Sequence, residues 1–343
     1  MYVVRPVELA DIAALEKLAA VSMPGVHTLP KTREKIVQAV EASIASFGAQ
    51  VDIPSEESYL FVLEALAGHS LVGTAAIHAS AGSNGTYFSF RNDVIQQVSR
   101  DLGISHSIHA LTLCSELTSY SQLSSFYVDE RVQSRPEAAL LSRARLMFAA
   151  LAPQRFSDRF FVPLAGVTDD NGGSPFWDAL GRKFFQMDFL DAERTIGGAR
   201  NRTSIVELMP HYPVYVPLLP GEAQAVMGQI HPSGELAFGL LTAEGFEADD
   251  YIDIFDGGPI LQAHKHALRT MTQSMRCTAT LYRPSRAGEP VVQYAVAANA
   301  GQQFRAVIVS VPSIEGGISI ALPQEVLDVL QVAEGDDVLC VRI

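Results

Sequence analysis

Several groups of residues in this chain have types and spacings that could do chemistry. The run Val128-Asp129-Glu130-Arg131-Val132-Gln133-Ser134-Arg135-Pro136-Glu137-Ala138 links a β-rich segment, Leu123 to Val128, to a helical pattern from about Glu137 to Leu151. Such a strand–turn–helix presents backbone N–H groups at the positive end of a helix dipole, which suits a phosphate. Arg131, Arg135, Arg143 and Arg145 add positive charge around it. The turn has no glycine for close backbone approach, so an ordinary connection with solvated arginines is the plainer reading of the pattern alone. His231 is followed by Pro232, which biases it away from the α region and sets it at a bend before a helix. A histidine there can exchange protons near neutral pH, and a capping or surface histidine fits the same pattern.

Asp249, Asp250, Asp253 and Asp256 form an acidic run around Tyr251 to Phe255. Strand alternation would place Ile252 and Ile254 on one face and Tyr251, Asp253 and Phe255 on the other. These carboxylates could receive a guanidinium or ammonium group, or form a solvated strand edge. His106 with His109, and His264 with His266, lack a third ligand at metal spacing, so no metal is expected. Cys114 has no neighbouring partner for nucleophilic catalysis and reads as buried.

The elements that must position these groups read as mixed α and β. Tyr2 to Arg5 is a strand stopped by Pro6, and Asp11 can cap a helix with Ile12, Leu15, Leu18 and Ala19 on one face. A second helix is expected from Thr32 to Phe47. Strands Tyr59–Leu63 and Leu71–Ile77 are joined by a hairpin turn at residues 67–70. Further strands are expected at Tyr87–Arg91, Ser107–Leu113 and Arg159–Pro163. Gly181 and Gly245 each follow a helical pattern and precede an aromatic residue. Two ordinary left-handed C-caps explain both, and a weak internal repeat is the sharper alternative.

Asp256-Gly257-Gly258-Pro259 is the strongest breaker and sets an expected boundary between residues 1–258 and 259–343. Beyond it, short β runs and a helix starting at Pro323 predict a small β-barrel.

The chain has 343 residues, 25 Lys+Arg and 38 Asp+Glu, a formal charge of −13. That balance argues against nucleic acid and anionic membranes as partners. No segment approaches the roughly 18 apolar residues of a membrane span. The start lacks the basic-then-apolar pattern of a secretory signal, so a cytoplasmic location is expected. Three separated cysteines, Cys114, Cys277 and Cys340, suggest neither a disulfide framework nor a zinc site.

Longer strings carry a resemblance. Ser174-Pro175-Phe176-Trp177 with Gly181-Arg182-Lys183-Phe184-Phe185, Glu207-Leu208-Met209-Pro210-His211-Tyr212-Pro213-Val214-Tyr215, Gly228-Gln229-Ile230-His231-Pro232 and Tyr251-Ile252-Asp253-Ile254-Phe255-Asp256-Gly257-Gly258-Pro259 resemble the arginine N-succinyltransferase family over essentially the whole chain. Phe88-Ser89-Phe90-Arg91-Asn92 and Ser125-Phe126-Tyr127-Val128 resemble the α chain of its two-subunit arginine/ornithine type. The resemblance implies an α+β fold like that of the GCN5-related N-acyltransferases, a mixed sheet with flanking helices, plus the small C-terminal β-barrel. It implies transfer of a succinyl group from succinyl-CoA, a co-substrate rather than a tightly bound cofactor, to the α-amino group of L-arginine and of L-ornithine. A homologous β subunit is the implied partner.

By position, the resemblance places a proton-transferring role on His231 and a succinyl-CoA contact on Phe126. Of the acyltransferase phosphate turn, Gln133 and Ala138 match, with Arg135 between them, and Pro136 stands where the central glycine would be. Proline removes one N–H donor and adds bulk. Arg91 is a candidate partner for the succinyl carboxylate or a structural ion pair, and Asp253 and Asp256 are candidates for reading the arginine side chain. A second reading makes this chain a non-catalytic scaffold or regulatory subunit of a β chain that keeps the glycine-rich turn.

Overall fold

A computed structural model of the chain describes residues 1–21, 29–30, 32–169, 171–196, 202–282, 291–314 and 318–343. Its strands are β1 (Tyr2–Pro6), β2 (Ser58–Ala65), β3 (Ser70–His78), β4 (Ser89–Ser99), β5 (Ile104–Cys114), β6 (Ser121–Val128), β7 (Arg159–Pro163), β8 (Val214–Tyr215), β9 (Glu247–Ile252), β10 (Pro259–His264), β11 (Met275–Leu281), β12 (Val291–Ala298), β13 (Arg305–Pro312), β14 (Ser319–Leu322) and β15 (Asp337–Arg342). Among the described residues they form one sheet in the order β14-β11-β15-β12-β13-β1-β2-β3-β6-β7-β10-β9-β4-β5-β8.

Alternation along the strands sorts side chains to two faces. Leu60 and Val62 of β2 and Ala76 of β3 pack beneath α1 (Ile12–Val21) and α2 (Arg33–Gly48). Their neighbours Phe61, Leu63, Ala75 and Ile77 face the other way. That second face is covered by α4 (Pro136–Leu151), which follows the single turn α3 (Glu130–Gln133). Proline suits the first turn of α4, where an N–H has no intrahelical partner. Beyond β7, the short helices α5 (Pro175–Ala179), α6 (Gly181–Phe185), α7 (Phe189–Ile196), α8 (Arg202–Leu208) and α9 (Gly221–Val226) occur in sequence before α10 (Glu235–Glu244). Phe176, Trp177 and Phe185 share a core with Phe90, Tyr251 and Phe255. Helix α10 packs with α11 (Arg269–Gln273) against α4, and α12 (Gln324–Leu330) covers the C-terminal strands.

The expected C-terminal β-barrel is not present. Strand β13 has β12 on one side and β1 on the other, with Val4 opposite Ala306. Its second edge therefore continues the main sheet, while β14 pairs in parallel only with β11 at the sheet's end. Closure would need that edge, so the C-terminal sheet stays open.

Two local expectations are also corrected. Gly245 does close α10 at φ 113°, its N–H donating to Leu241 and Thr242 carbonyls. Gly181 instead starts α6, and the left-handed residue that ends that helix is Gln186 at φ 53°. Glycine is needed at 181 because a Cβ would come within 2.2 Å of the Trp177 ring. The two sites therefore do not form a repeat. The alternation expected for Tyr251 to Phe255 stops at Ile252, where β9 ends, and both Ile254 and Phe255 are buried in the turn that follows.

The start of the chain is fastened by charge. Arg5 Nε donates to Glu64 Oε2 at 2.6 Å, and its two Nη groups donate to Asp11 Oδ2 and Oδ1 at 2.8 and 2.9 Å. Burial would raise the Glu64 carboxyl, but hydrogen bonds from Arg5 and His69 outweigh it and hold it below the ordinary carboxylate range. A lowered folded pKa gives stability that is present above the unfolded value and is lost as pH falls through the folded one. Arg5→Met leaves two largely buried carboxylates without their guanidinium. It should cost about 3–5 kcal/mol in a urea titration at pH 7. The difference from wild type should shrink as the pH is lowered through the acid range.

Candidate active site

The site begins where two strands part. Strands β6 and β7 are parallel, and only Ser121 with Phe160 and Gln122 with Phe161 are in register. From Leu123 onward the side of β6 that faces β7 has no ladder partner in β7, which leaves a seam. On its other side β6 pairs with β3, where the register shifts between Thr74 and Ala76. Ser125 is the extra residue of this bulge and has φ 52°. The bulge resets alternation. Leu123 and then Phe126 point to the α4 face, so Phe126 packs beside the core there.

The far wall of the seam is built by β7 and the chain beyond it. Successive strand residues turn their N–H and C=O groups to opposite sides. Leu164 N–H donates to Pro259 at 3.0 Å and Gly166 N–H to Asp256 Oδ2 at 2.8 Å, both toward β10. The carbonyl of Ala165 therefore faces the β6 side, and His231 N–H donates to it at 2.8 Å. Ile230 forms an isolated antiparallel bridge with Gly166. His231 thus stands in the space that β6 has vacated. Ser233 N–H donates to His231 Nδ1 at 3.2 Å, and Ser233 Oγ lies 2.7 Å from the same nitrogen. An Nδ1 that accepts leaves the proton of the neutral ring on Nε2.

The two aspartates support this wall. Asp256 Oδ1 accepts from Gly258 N–H at 2.8 Å while Oδ2 holds Gly166. Asp253 Oδ1 accepts from Phe255 N–H at 2.7 Å. Both residues are buried, and the bonds fold residues 253–258 into a tight turn. Gly166 must be glycine there, because a Cβ would meet the Asp256 carbonyl at 2.6 Å. The side chain of Asp249, also in the acidic run, lies outside the described residues.

The turn before α4 is less open than the sequence suggests. Arg131 N–H donates to Asp129 Oδ1, and the amides of Val132, Arg135 and Ala138 donate to the carbonyls of Asp129, Val132 and Arg135. Gln133 Nε2 reaches back to the Val128 carbonyl at 3.1 Å, and Ala138 is buried in the core. The four arginines do not form a patch. Arg131 forks onto Asp129 at 2.7 and 2.9 Å, and Arg143 pairs with Glu244 at 3.2 Å. Arg145 is 1% exposed, with its guanidinium 5.5 Å from the Phe126 ring centroid. Arg135 alone of the four is exposed without a side-chain bond among the described residues. The patch fails because α4 is buried on most sides, so that Arg145 turns inward and Arg143 turns toward α10.

Arg91 sits apart, on β4, three strands beyond β7. Its Nε donates to Asp93 at 2.7 Å and Nη1 to Glu116, which also accepts from the Tyr251 hydroxyl. The structure therefore brings Phe126, His231 and the 129–138 turn to one seam, sets Asp253 and Asp256 behind it, and leaves Arg91 in a separate ion-pair network. Ser125, Gly166 and Arg145 belong to the seam as well. Of these, Arg145 had a legible signal, since it shares the helical face of Leu141 and Phe148.

Comparison with known proteins agrees over the full length. The family described as arginine N-succinyltransferase beta subunit matches residues 2–270, and its C-terminal domain matches residues 276–342. The arginine N-succinyltransferase subunit alpha of Pseudomonas aeruginosa is 44% identical over 100% of both chains. An arginine N-succinyltransferase of Escherichia coli is 34% identical, covering 100% of this chain and 98% of its own. The solved structure of arginine/ornithine succinyltransferase subunit AI from Pseudomonas aeruginosa superposes with a TM-score of 0.89 at 42% identity, over 100% of this chain and 98% of that one. The chain belongs to the arginine N-succinyltransferase family.

Asp256 fixes the wall that carries His231 through two backbone amides. Asp256→Ala strands both donors and should lower the unfolding free energy by about 1–3 kcal/mol in a denaturant titration.

Proposed function

We propose that this member of the arginine N-succinyltransferase family is the α chain of a heteromeric enzyme. It transfers the succinyl group of succinyl-CoA to the α-amino group of L-arginine, and of L-ornithine, with a homologous β subunit as its partner. The seam between β6 and β7 carries this reading, because it offers an extended slot of unpaired strand backbone with a histidine at its mouth. Succinyl-CoA is the co-substrate. Its pantetheine arm runs along β6 past Phe126, with the thioester near the bulge at Ser125. No helix among the described residues is long and apolar enough to cross a membrane.

The chemistry is direct transfer. The substrate ammonium loses a proton, its nitrogen forms a bond to the thioester carbon, and the carbonyl oxygen takes the negative charge. In this reading an N–H on the unpaired edge of β6 stabilises that oxyanion. The C–S bond then breaks, the nitrogen loses a second proton and the CoA sulfur gains one. Nδ1 of His231 is engaged by Ser233, so the ring meets the seam with Nε2 as a donor. It acts as the proton donor to the departing thiolate. Gln133 and Arg135 line the approach of the CoA phosphates, and Ala138, buried with its amide bonded to the Arg135 carbonyl, packs behind them. Arg91, Asp253 and Asp256 have the charge to contact carboxylate and guanidinium groups. The ion pairs of Arg91 and the backbone bonds of the aspartates support a positioning role instead.

One observation favours the second reading, a scaffold for a catalytic β chain. Pro136 and the bonded amides of the turn leave few donors for a pyrophosphate. A thioester-release assay of α alone, β alone and the mixture separates the two readings. Release by α alone, or a requirement for His231 of α in the mixture, supports catalysis here. Full activity of β alone contradicts it. In the mixture, His231→Ala should cut kcat about 10²–10⁴-fold with little change in the KM for succinyl-CoA.

A further inference from the structure

Arg145 is a buried cation with too few partners. Its Nε donates to the Ser142 carbonyl at 3.1 Å and one Nη to Ser142 Oγ at 3.0 Å, both one turn back on the same helix. The other terminal nitrogen, Nη1, is buried with no hydrogen bond. Among the described residues no carboxylate pairs with it. Burial alone pushes its pKa down, to about 9, so it is still charged at neutral pH. Arg155 shows what a structural buried arginine looks like in this chain. Both of its terminal nitrogens donate to other elements, to the Ser46 and Ala49 carbonyls at the end of α2 and to the Tyr59 hydroxyl, and only its Nε lacks a bond. A cation that is neither paired nor solvated is costly to fold. Its retention calls for an anion that arrives later.

Position identifies the anion. Arg145 lies under β6 against Phe126, on the α4 face that the Ser125 bulge assigns to that ring. On the proposed reading of the seam, an acyl group that passes Phe126 comes next to this guanidinium, 5.5 Å from the ring centroid. An acyl chain entering there meets an apolar ring and then a guanidinium. An acetyl group is too short to present an anion there. A succinyl group carries a carboxylate two methylenes beyond the thioester carbon.

We propose that Arg145 is the specificity residue of the acyl pocket, and that its unpartnered Nη1 edge binds the terminal carboxylate of the acyl chain. This rests on the reading of the seam as the acyl-CoA site. The bond is charge-assisted and forms in a water-poor site, so it discriminates strongly against a neutral acyl chain of the same length.

The test compares succinyl-CoA with butyryl-CoA, which replaces the carboxylate by a methyl group. Binding to the α/β complex is measured by calorimetry, and kcat/KM by thioester release. Wild type should prefer succinyl-CoA by about 10²-fold or more. Arg145→Met should lose that preference while keeping butyryl-CoA binding, which also reports that the variant is folded. Arg145→Lys should keep part of the preference, since it retains a charge without the fork. An unchanged succinyl-to-butyryl ratio in Arg145→Met overturns the proposal and leaves the seam reading standing. Equal binding of the two esters by wild type does the same, even if the methionine variant does not fold. Failure of the complex to bind either ester overturns both.

Discussion

Two residue pairs hold β6 to β7, Ser121 with Phe160 and Gln122 with Phe161, and past them the strands go separate ways. A sheet of this size ordinarily satisfies its backbone groups by continuous pairing. Here the ladder is interrupted at its centre rather than at an edge, and the neighbouring features follow from that. β6 keeps its other edge on β3 only by accepting a bulge. The vacated side of β7 is met by the Ile230–His231 segment through the Ala165 carbonyl. The His231 imidazole is thereby positioned by a main-chain bond to the Ala165 carbonyl and by the adjoining Ile230–Gly166 bridge.

The supports behind the seam are polar and buried. Asp256 spends its two oxygens on Gly166 and Gly258, and Asp253 closes the turn through Phe255. The Tyr251–Pro259 string encodes this turn. It is a scaffold motif in which carboxylates replace the hydrogen bonds that a regular strand would have supplied. In front of the seam, α4 brings one charged side chain into an otherwise apolar face. Arg155 is held by carbonyls at a helix end, whereas Arg145 has hydrogen bonds only within its own helix and otherwise lies against the Phe126 ring, which is the basis for the recognition role proposed for it.

Much of the frame around the site could be read from the chain. The apolar run at 159–163, the β-rich 123–128 and the periodic helix ending at Leu151 all stand where pattern placed them. Ser174 caps α5 through its hydroxyl, with Pro175 in the first turn. What was not legible depended on long-range pairing. The open C-terminal sheet follows from β13 pairing with β1, some 300 residues earlier in sequence. The start of α6 at Gly181 follows from the Trp177 ring beneath it. The four arginines around Pro136 looked like one patch, because linear proximity does not show which helical face each occupies.

The turn before α4 offers few free donors. Its amides are largely bonded within the turn, and Pro136 contributes none. The proposed CoA site therefore relies on the strand backbone of β6 and on side chains such as Gln133 and Arg135. The direct measurement is hydrogen–deuterium exchange of the chain with and without succinyl-CoA. The account predicts slowed exchange at residues 123–128, at 165–166 and at 228–233, with none in the distant β4–β5 hairpin. Unchanged exchange across all three seam segments at saturating succinyl-CoA would contradict it.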